Sequence, residues 1–382
     1  MDKKFGAGQR QSSEECINLL KFRFICDIMM NLHGSIQPAM CLANDLTARG
    51  NEVSVISPLI SSDVETYLQK IGITPLNLHM KHFTNDSYLS LLWFETWAQE
   101  AFLKQISQHI GEESSFTLNF SQVASAPSLV SYLQGPVSTA LKDLEKEYST
   151  SFRLAYYIFK PFIKYADGRL IGQIGKVSTL TIANSKFCAS MYSKFGLKVH
   201  DVIYPPIDCV TFYPSTSNPS SNYVFTYFGK ETKFSVVKKL ADMDVKIKTF
   251  GSKIPFTRKE LLDHPNIEFL GKISTNKLVD AYSNALFTVF PFTHEPFGYI
   301  PLESMACGTP VLTYNKQGPS ECVIDGLTGW LADTDEQLVH KASELWKDGY
   351  PSTMRKNCVK EAAKFDKRFY IEKWIRHLSS FT

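Results

Sequence analysis

The chain has 382 residues, with 41 Lys and Arg against 38 Asp and Glu, a net charge of +3, and 44% hydrophobic residues. Domains of roughly 100–200 residues make two domains the expectation, and the apolar fraction is that of a globular core. The near balance of charge gives no reason to expect nucleic acid as the principal partner.

Eight cysteines, at 16, 26, 41, 188, 209, 307, 322 and 358, form neither a CxxC pair nor a Cys/His cluster. They read as reduced, buried thiols rather than a disulfide framework or a zinc site. The first twenty residues are polar and lack the apolar stretch of a secretory signal. No apolar run approaches the roughly 20 residues of a membrane span. The expectation is a cytoplasmic protein, at most peripheral to the inner face of a membrane.

Residues 22–30, FRFICDIMM, read as an apolar strand, followed by the loop NLHGS and a helix that stops at Gly50. VSVIS at 53–57 is the next strand. Strand, helix and strand at this spacing make a βαβ unit and a parallel sheet. The stretch 86–110 is helical and aromatic, with Trp93, Phe94 and Trp97, and strands are predicted at 116–120 and 177–185. Between them, 152–165 mixes aromatics with Arg153, Lys160 and Lys164. Pro161 argues against one unbroken helix there. Aromatics of this kind are usually core, but with the basic residues they are also candidates for contact with a membrane or lipid-linked partner.

A composition change at 204–222, Tyr-Pro-Pro-Ile-Asp and then the polar tract STSNPSSN, is the strongest boundary signal. After it the pattern restarts, with strands at 223–229, 245–251, 267–271, 286–292 and 310–314. The domains are read as 1–210 and 211–365, with an amphipathic helix near 366–382 that can return to the first. Phe369, Ile371, Trp374 and Leu378 form its predicted apolar face.

Ligands of open parallel sheets bind at the carboxyl ends of strands. The apolar run 286–292 ends in Thr293-His294-Glu295, and a helix is predicted from near Ile300-Pro301 to Cys307, with Gly308 as its stop. Glu295 therefore precedes a helix N-terminus and Glu303 lies in its first turns. Acidic residues often sit there only to suit the macrodipole. Free amides also make such an end an anion site, and two carboxylates beside it can accept hydrogen bonds from sugar hydroxyls. Lys230 and Lys233 follow the strand ending at Gly229, on the same sheet edge. Gly318 permits close backbone approach after 310–314. Asp242/Asp244 and Asp333/Asp335 have metal-pair spacing but no neighbouring ligand cluster, so no metal site is assigned. The single Gly34 of the loop 31–35 is not a dinucleotide fingerprint.

These residues resemble a known family. EPFGYIPLESMACGTPVLTYNKQGPSECVIDGLTGWLAD at 295–333 is similar to the signature of family 4 retaining glycosyltransferases of the GT-B fold. The segments 187–214, 271–292 and 43–57 agree with it. The resemblance implies two Rossmann-like α/β domains facing across a cleft, the second binding a nucleotide sugar and the first an acceptor. It implies transfer of a hexose, from a donor of UDP-glucose or GDP-mannose type, to a glycan or lipid-linked acceptor. Neither a cofactor nor a metal is required. Carried over by position, Glu295 contacts the sugar, with Lys230 and Lys233 at the diphosphate as the other catalytic candidates. The amides of Phe297, Gly298, Tyr299 and Ile300 meet sugar and phosphate, Glu303 holds the ribose and Ile273 lies by the base. Gly34, Gln134, Gly229 and Gly318 complete the expected substrate contacts.

Two departures stand out. Both diphosphate-facing residues are lysines three apart, where the family has Arg and then Lys about five residues on; the bidentate fork is lost. Gln134 stands where many members have histidine. A non-catalytic nucleotide-sugar- or glycan-binding subunit and a nucleotide-sugar epimerase are the alternative readings.

Overall fold

The computed structural model describes residues 20–381 apart from 33, 84–88, 104, 109–115, 146–149 and 252–258. The polar N-terminal stretch read above, with Cys16, lies outside the described residues.

Among the described residues the first sheet comprises β1 (Lys21–Ile25), β2 (Glu52–Ser57), β3 (Ile73–Asn77), β4 (Phe116–Asn119), β5 (Ser128–Leu133), β6 (Ser178–Ala183) and β7 (Asp201–Val202). Its order is β3-β2-β1-β4-β5-β6-β7, with every pairing parallel. The helices are α1 (Gln37–Ala48), α2 (Ser62–Lys70), α3 (Leu89–Leu103), α4 (Gln105–Gln108), α5 (Val137–Leu144), α6 (Thr150–Val177) and α7 (Lys186–Ser193). They cover both faces, so Phe24, Val55 and Val130 of the central strands are fully buried.

The second sheet comprises β8 (Val224–Phe228), β9 (Ile247–Gly251), β10 (Ile267–Phe269), β11 (Thr288–Phe290), β12 (Val311–Tyr314) and β13 (Gly329–Ala332). It is also parallel, in the order β10-β9-β8-β11-β12-β13. Its helices are α8 (Phe234–Asp242), α9 (Lys259–Leu262), α10 (Thr275–Asn284), α11 (Tyr299–Ala306), α12 (Asp335–Asp348) and α13 (Thr353–Ala362). Both orders reverse beside the first strand, the doubly wound pattern that opens a crevice at the carboxyl edge.

The last helix, α14 (Lys367–Leu378), crosses back to the first sheet. Tyr370, Ile371, Trp374 and Leu378 join that sheet's core, and the Trp374 ring lies 5.2 Å from Phe120 and 5.7 Å from Tyr132. Phe369, expected on the apolar face, is 48% exposed instead. The neighbouring Tyr370 takes the buried position, with its hydroxyl donating to Pro38 O at 2.8 Å. Where the chain crosses, Ile207 N–H donates to Phe365 O and Lys367 N–H donates to Ile207 O, both at 2.9 Å.

The expected break at Pro161 is corrected, since α6 runs through it. Pro161 lies on the exposed side of the helix, where water can replace the donor that proline lacks. The aromatics of 152–165 divide accordingly: Tyr156 is buried, while Tyr157, Phe159, Phe162 and Tyr165 are exposed.

Candidate active site

β8, β11 and β12 are neighbours, so the loops that follow them meet at one sheet edge. Main-chain bonds lace them together. Thr293 N–H donates to Glu231 O and Lys233 N–H to Pro291 O, each at 2.8 Å. Gly318 N–H donates to Glu295 O at 3.1 Å. Gln317, held in a positive-φ conformation (φ 58°), accepts from Glu295 N–H on its Oε1 at 2.7 Å. A non-glycine residue so placed stores strain that the surrounding bonds must hold.

Two glycines are forced by this lacing. A Cβ on Gly318 would stand 2.3 Å from Phe297 Cα and Pro296 O, so the close approach expected of Gly318 is to the neighbouring loop's backbone. Gly298 has φ 100° and precedes α11, whose first amides have no carbonyl partner within the helix. The helix starts at Tyr299, one residue before the predicted start.

Lys230, Gly229, Glu295, Phe297, Gly298, Tyr299, Ile300, Glu303 and Gly318 are thus gathered on this edge or on the first turns of α11. Ile273, after β10, packs partly buried against the second core. Burial pushes the Glu303 carboxyl up to about 7, although Tyr282 donates its hydroxyl to Oε2 at 3.0 Å. Burial, and then the nearby Glu231, raise Glu295 above the usual carboxylate range; the Phe297 and Gly298 amides and the Lys230 charge oppose this. Glu231 is likewise raised by burial and lowered by Lys230. Lys230 therefore faces two carboxylates that are costly to ionise alone.

Lys233 is turned elsewhere. Its Nζ lies 2.8 Å from Asp335 Oδ1 and 4.7 Å from the Tyr314 ring centroid, and Tyr314 donates its hydroxyl to the same oxygen at 2.6 Å. Burial works against the Asp335 charge, but the bonds from Lys233 and Tyr314 outweigh it and hold the carboxyl below its usual range. Lys233 immediately precedes α8, and its pair with Asp335 ties the start of that helix to the start of α12.

Across the cleft, Gln134 follows β5 and donates from Nε2 to Phe120 O at 2.8 Å, which commits its amide nitrogen to the first sheet. Gly34 opens a short 3₁₀ turn before α1. The two halves touch directly at the site. Ser185 Oγ donates to Pro296 O at 2.6 Å. Glu321 accepts from the Lys186 and Phe187 amides of α7 at 2.9 and 2.7 Å, and from the Tyr204 hydroxyl at 2.9 Å. His294 Nδ1 lies 2.8 Å from Asp143 Oδ2, and Gln317 Nε2 donates to the same oxygen at 3.3 Å. Opposite a carboxyl oxygen, Nδ1 is the proton-bearing nitrogen, which leaves Nε2 buried and without a hydrogen-bond partner. Sequence reasoning passed over Glu231, His294, Asp143, Gln317 and Glu321. Glu231 stood between the two chosen lysines and His294 beside the chosen glutamate. Asp143 carries no local signal, since only the fold brings it near.

Residues 256–365 match the family model described as glycosyl transferases group 1. An uncharacterized glycosyltransferase of Methanocaldococcus jannaschii is 28% identical over 208 residues, covering 51% of this chain and 58% of the relative. A D-inositol 3-phosphate glycosyltransferase of a Mycobacterium species is 27% identical over 192 residues, covering 43% of each. The chain thus spans about half the length of the curated relatives it matches. Among solved structures, Anabaena HepE in complex with UDP-glucose superposes with a TM-score of 0.68 at 18% identity, covering 94% of this chain and all of that one. Residues 256–365, which hold Glu295, Glu303 and the amide end of α11, therefore carry the group 1 glycosyltransferase segment, set in a chain of the GT-B fold.

Proposed function

We propose that the protein is a retaining hexosyltransferase that moves a sugar from a nucleoside-diphosphate donor to a hydroxyl of a glycan or lipid-linked acceptor. The observation that carries this reading is the meeting of Lys230, Glu295, Glu303 and the free amides of α11 on one sheet edge. In the proposed reaction the bond between the anomeric carbon and the diphosphate oxygen breaks as the acceptor oxygen bonds to the same face of that carbon. The acceptor proton passes to the departing phosphate. Lys230 and the amides after Gly298 stabilise the charge that develops on the leaving group. Glu295 accepts from sugar hydroxyls and Glu303 from those of the ribose. The HepE complex with UDP-glucose supports a donor of this class, and GDP-mannose is the rival to test against it.

A thermal-shift panel of nucleotide sugars identifies the donor, because a ligand that binds only the folded state raises the midpoint. With that donor, Glu295→Ala is expected to lower kcat by about a hundredfold or more at an unchanged melting midpoint. Undiminished transfer by this variant overturns the reading. A non-catalytic donor-binding subunit is the second reading, favoured by the diversion of Lys233 to Asp335. Donor binding with no transfer to any acceptor would establish it.

A further inference from the structure

α6 is apolar on two opposite faces. Ile163, Leu170, Ile171 and Ile174 are buried in the core beneath it. On the outer side, Leu154, Tyr157, Ile158, Phe162 and Tyr165 are 63, 73, 62, 48 and 62% exposed. Their spacing puts them in one stripe, opposite the buried one. Phe102, at the end of α3, extends this stripe by stacking on Phe162 with ring centroids 5.1 Å apart. A helix that is apolar all round is ordinarily covered all round, and a contiguous exposed patch of this kind marks an interaction surface.

Charge selects the partner. Lys160, Lys164 and Arg169 are exposed on the same helix. Its one acidic residue, Asp167, is turned inward and accepts from Ser138 N–H at 2.7 Å. The patch is therefore apolar with a basic flank and no exposed acid of its own helix. Tyr157 and Tyr165 combine an apolar ring with a polar tip, which suits the headgroup boundary. The lysine stems can lie along the apolar surface with their charges in the headgroups. No helix among the described residues is long and apolar enough to cross a membrane, so contact through this face would be in the plane of the interface.

We propose that α6 docks the protein on an anionic lipid surface, with the stripe Leu154–Tyr165 in the headgroup boundary and Lys160 and Lys164 on anionic headgroups. The bond from Ser138 to Asp167 braces α6 on α5, which also carries Asp143 at the cleft. A bilayer bound there would lie against the half of the molecule opposite the nucleotide-sugar site. Docking of this kind does not depend on glycosyl transfer, and its test reads no activity.

The test is flotation of the full chain with phosphatidylcholine vesicles, with and without phosphatidylglycerol. Binding is expected only with phosphatidylglycerol, weakening as salt is raised. Each lysine near an anionic leaflet contributes about fivefold, so Lys160→Glu/Lys164→Glu should lose more than about twenty-fivefold in partitioning. Ile158→Ser/Phe162→Ser should abolish flotation at an unchanged melting midpoint, because both side chains are exposed. Charge reversal of the distant Lys341 and Lys364 should leave flotation intact. Three results overturn the proposal: no flotation on anionic vesicles at low salt, flotation undiminished in both α6 variants, or a stable dimer that the Ile158/Phe162 variant dissolves.

Discussion

In the proposed reading, Glu303 joins stability to donor binding in one side chain. Its carboxyl is pushed up to about 7 from an ordinary value near 4.5, so the folded protein holds a proton that the unfolded chain gives up between those values. Stability without ligand should therefore fall as pH rises through that window. Donor affinity should move the other way, since the ribose hydroxyls need an ionised acceptor, and should weaken as pH falls below about 7. Glu303→Gln is expected to flatten both profiles, read by melting midpoint and by donor titration across pH; a donor profile unchanged by the substitution would remove Glu303 from the site. The placing of Glu295 and Glu303 beside one helix start was approachable from sequence, because both lie within nine residues of each other around the start of α11. The pairing of Lys233 with Asp335 was not, because the two are joined only through the sheet. The same holds for His294, after β11, and Asp143, in α5 of the other half.

At the scale of elements, the candidate site depends on the loop after β12 lying closer to the loop after β11 than a side chain at Gly318 allows. Gly318→Ala would place a methyl 2.3 Å from the Phe297 and Pro296 backbone, and backbone cannot yield as a flexible side chain does. The expected outcome is a melting midpoint lowered by several degrees and donor binding weakened by at least about tenfold, corresponding to a cost of about 1–3 kcal/mol. Full donor affinity in that variant would mean the loops are less tightly coupled than their bonds imply. The strands that build this edge were legible as apolar runs of strand length with abrupt ends. The break expected at Pro161 was not a sound reading, because it weighed the lost hydrogen bond without knowing that Pro161 faces solvent.

For the whole molecule, two sheets and the polar tract between them were readable from the restart of the strand pattern. The destination of α14 was not, because its apolar stripe fits any apolar surface. The fold resolves this by giving Trp374 to the first core, fully buried beside Phe120 and Tyr132. Trp374→Ala is expected to cost about 3–5 kcal/mol, with protection from hydrogen exchange lost first around β4 and β5 rather than in the second sheet; uniform loss over both would contradict this assignment. The return of α14 also means that the chain passes between the halves twice, and at Ile207 and Asp366 the two passages are bonded side by side. Both covalent links between the halves are thereby gathered into one bonded seam. The contacts of Glu321, Ser185 and Asp143 add side-chain bonds between the halves to that seam, so the cleft is fastened by the main chain and by side chains alike.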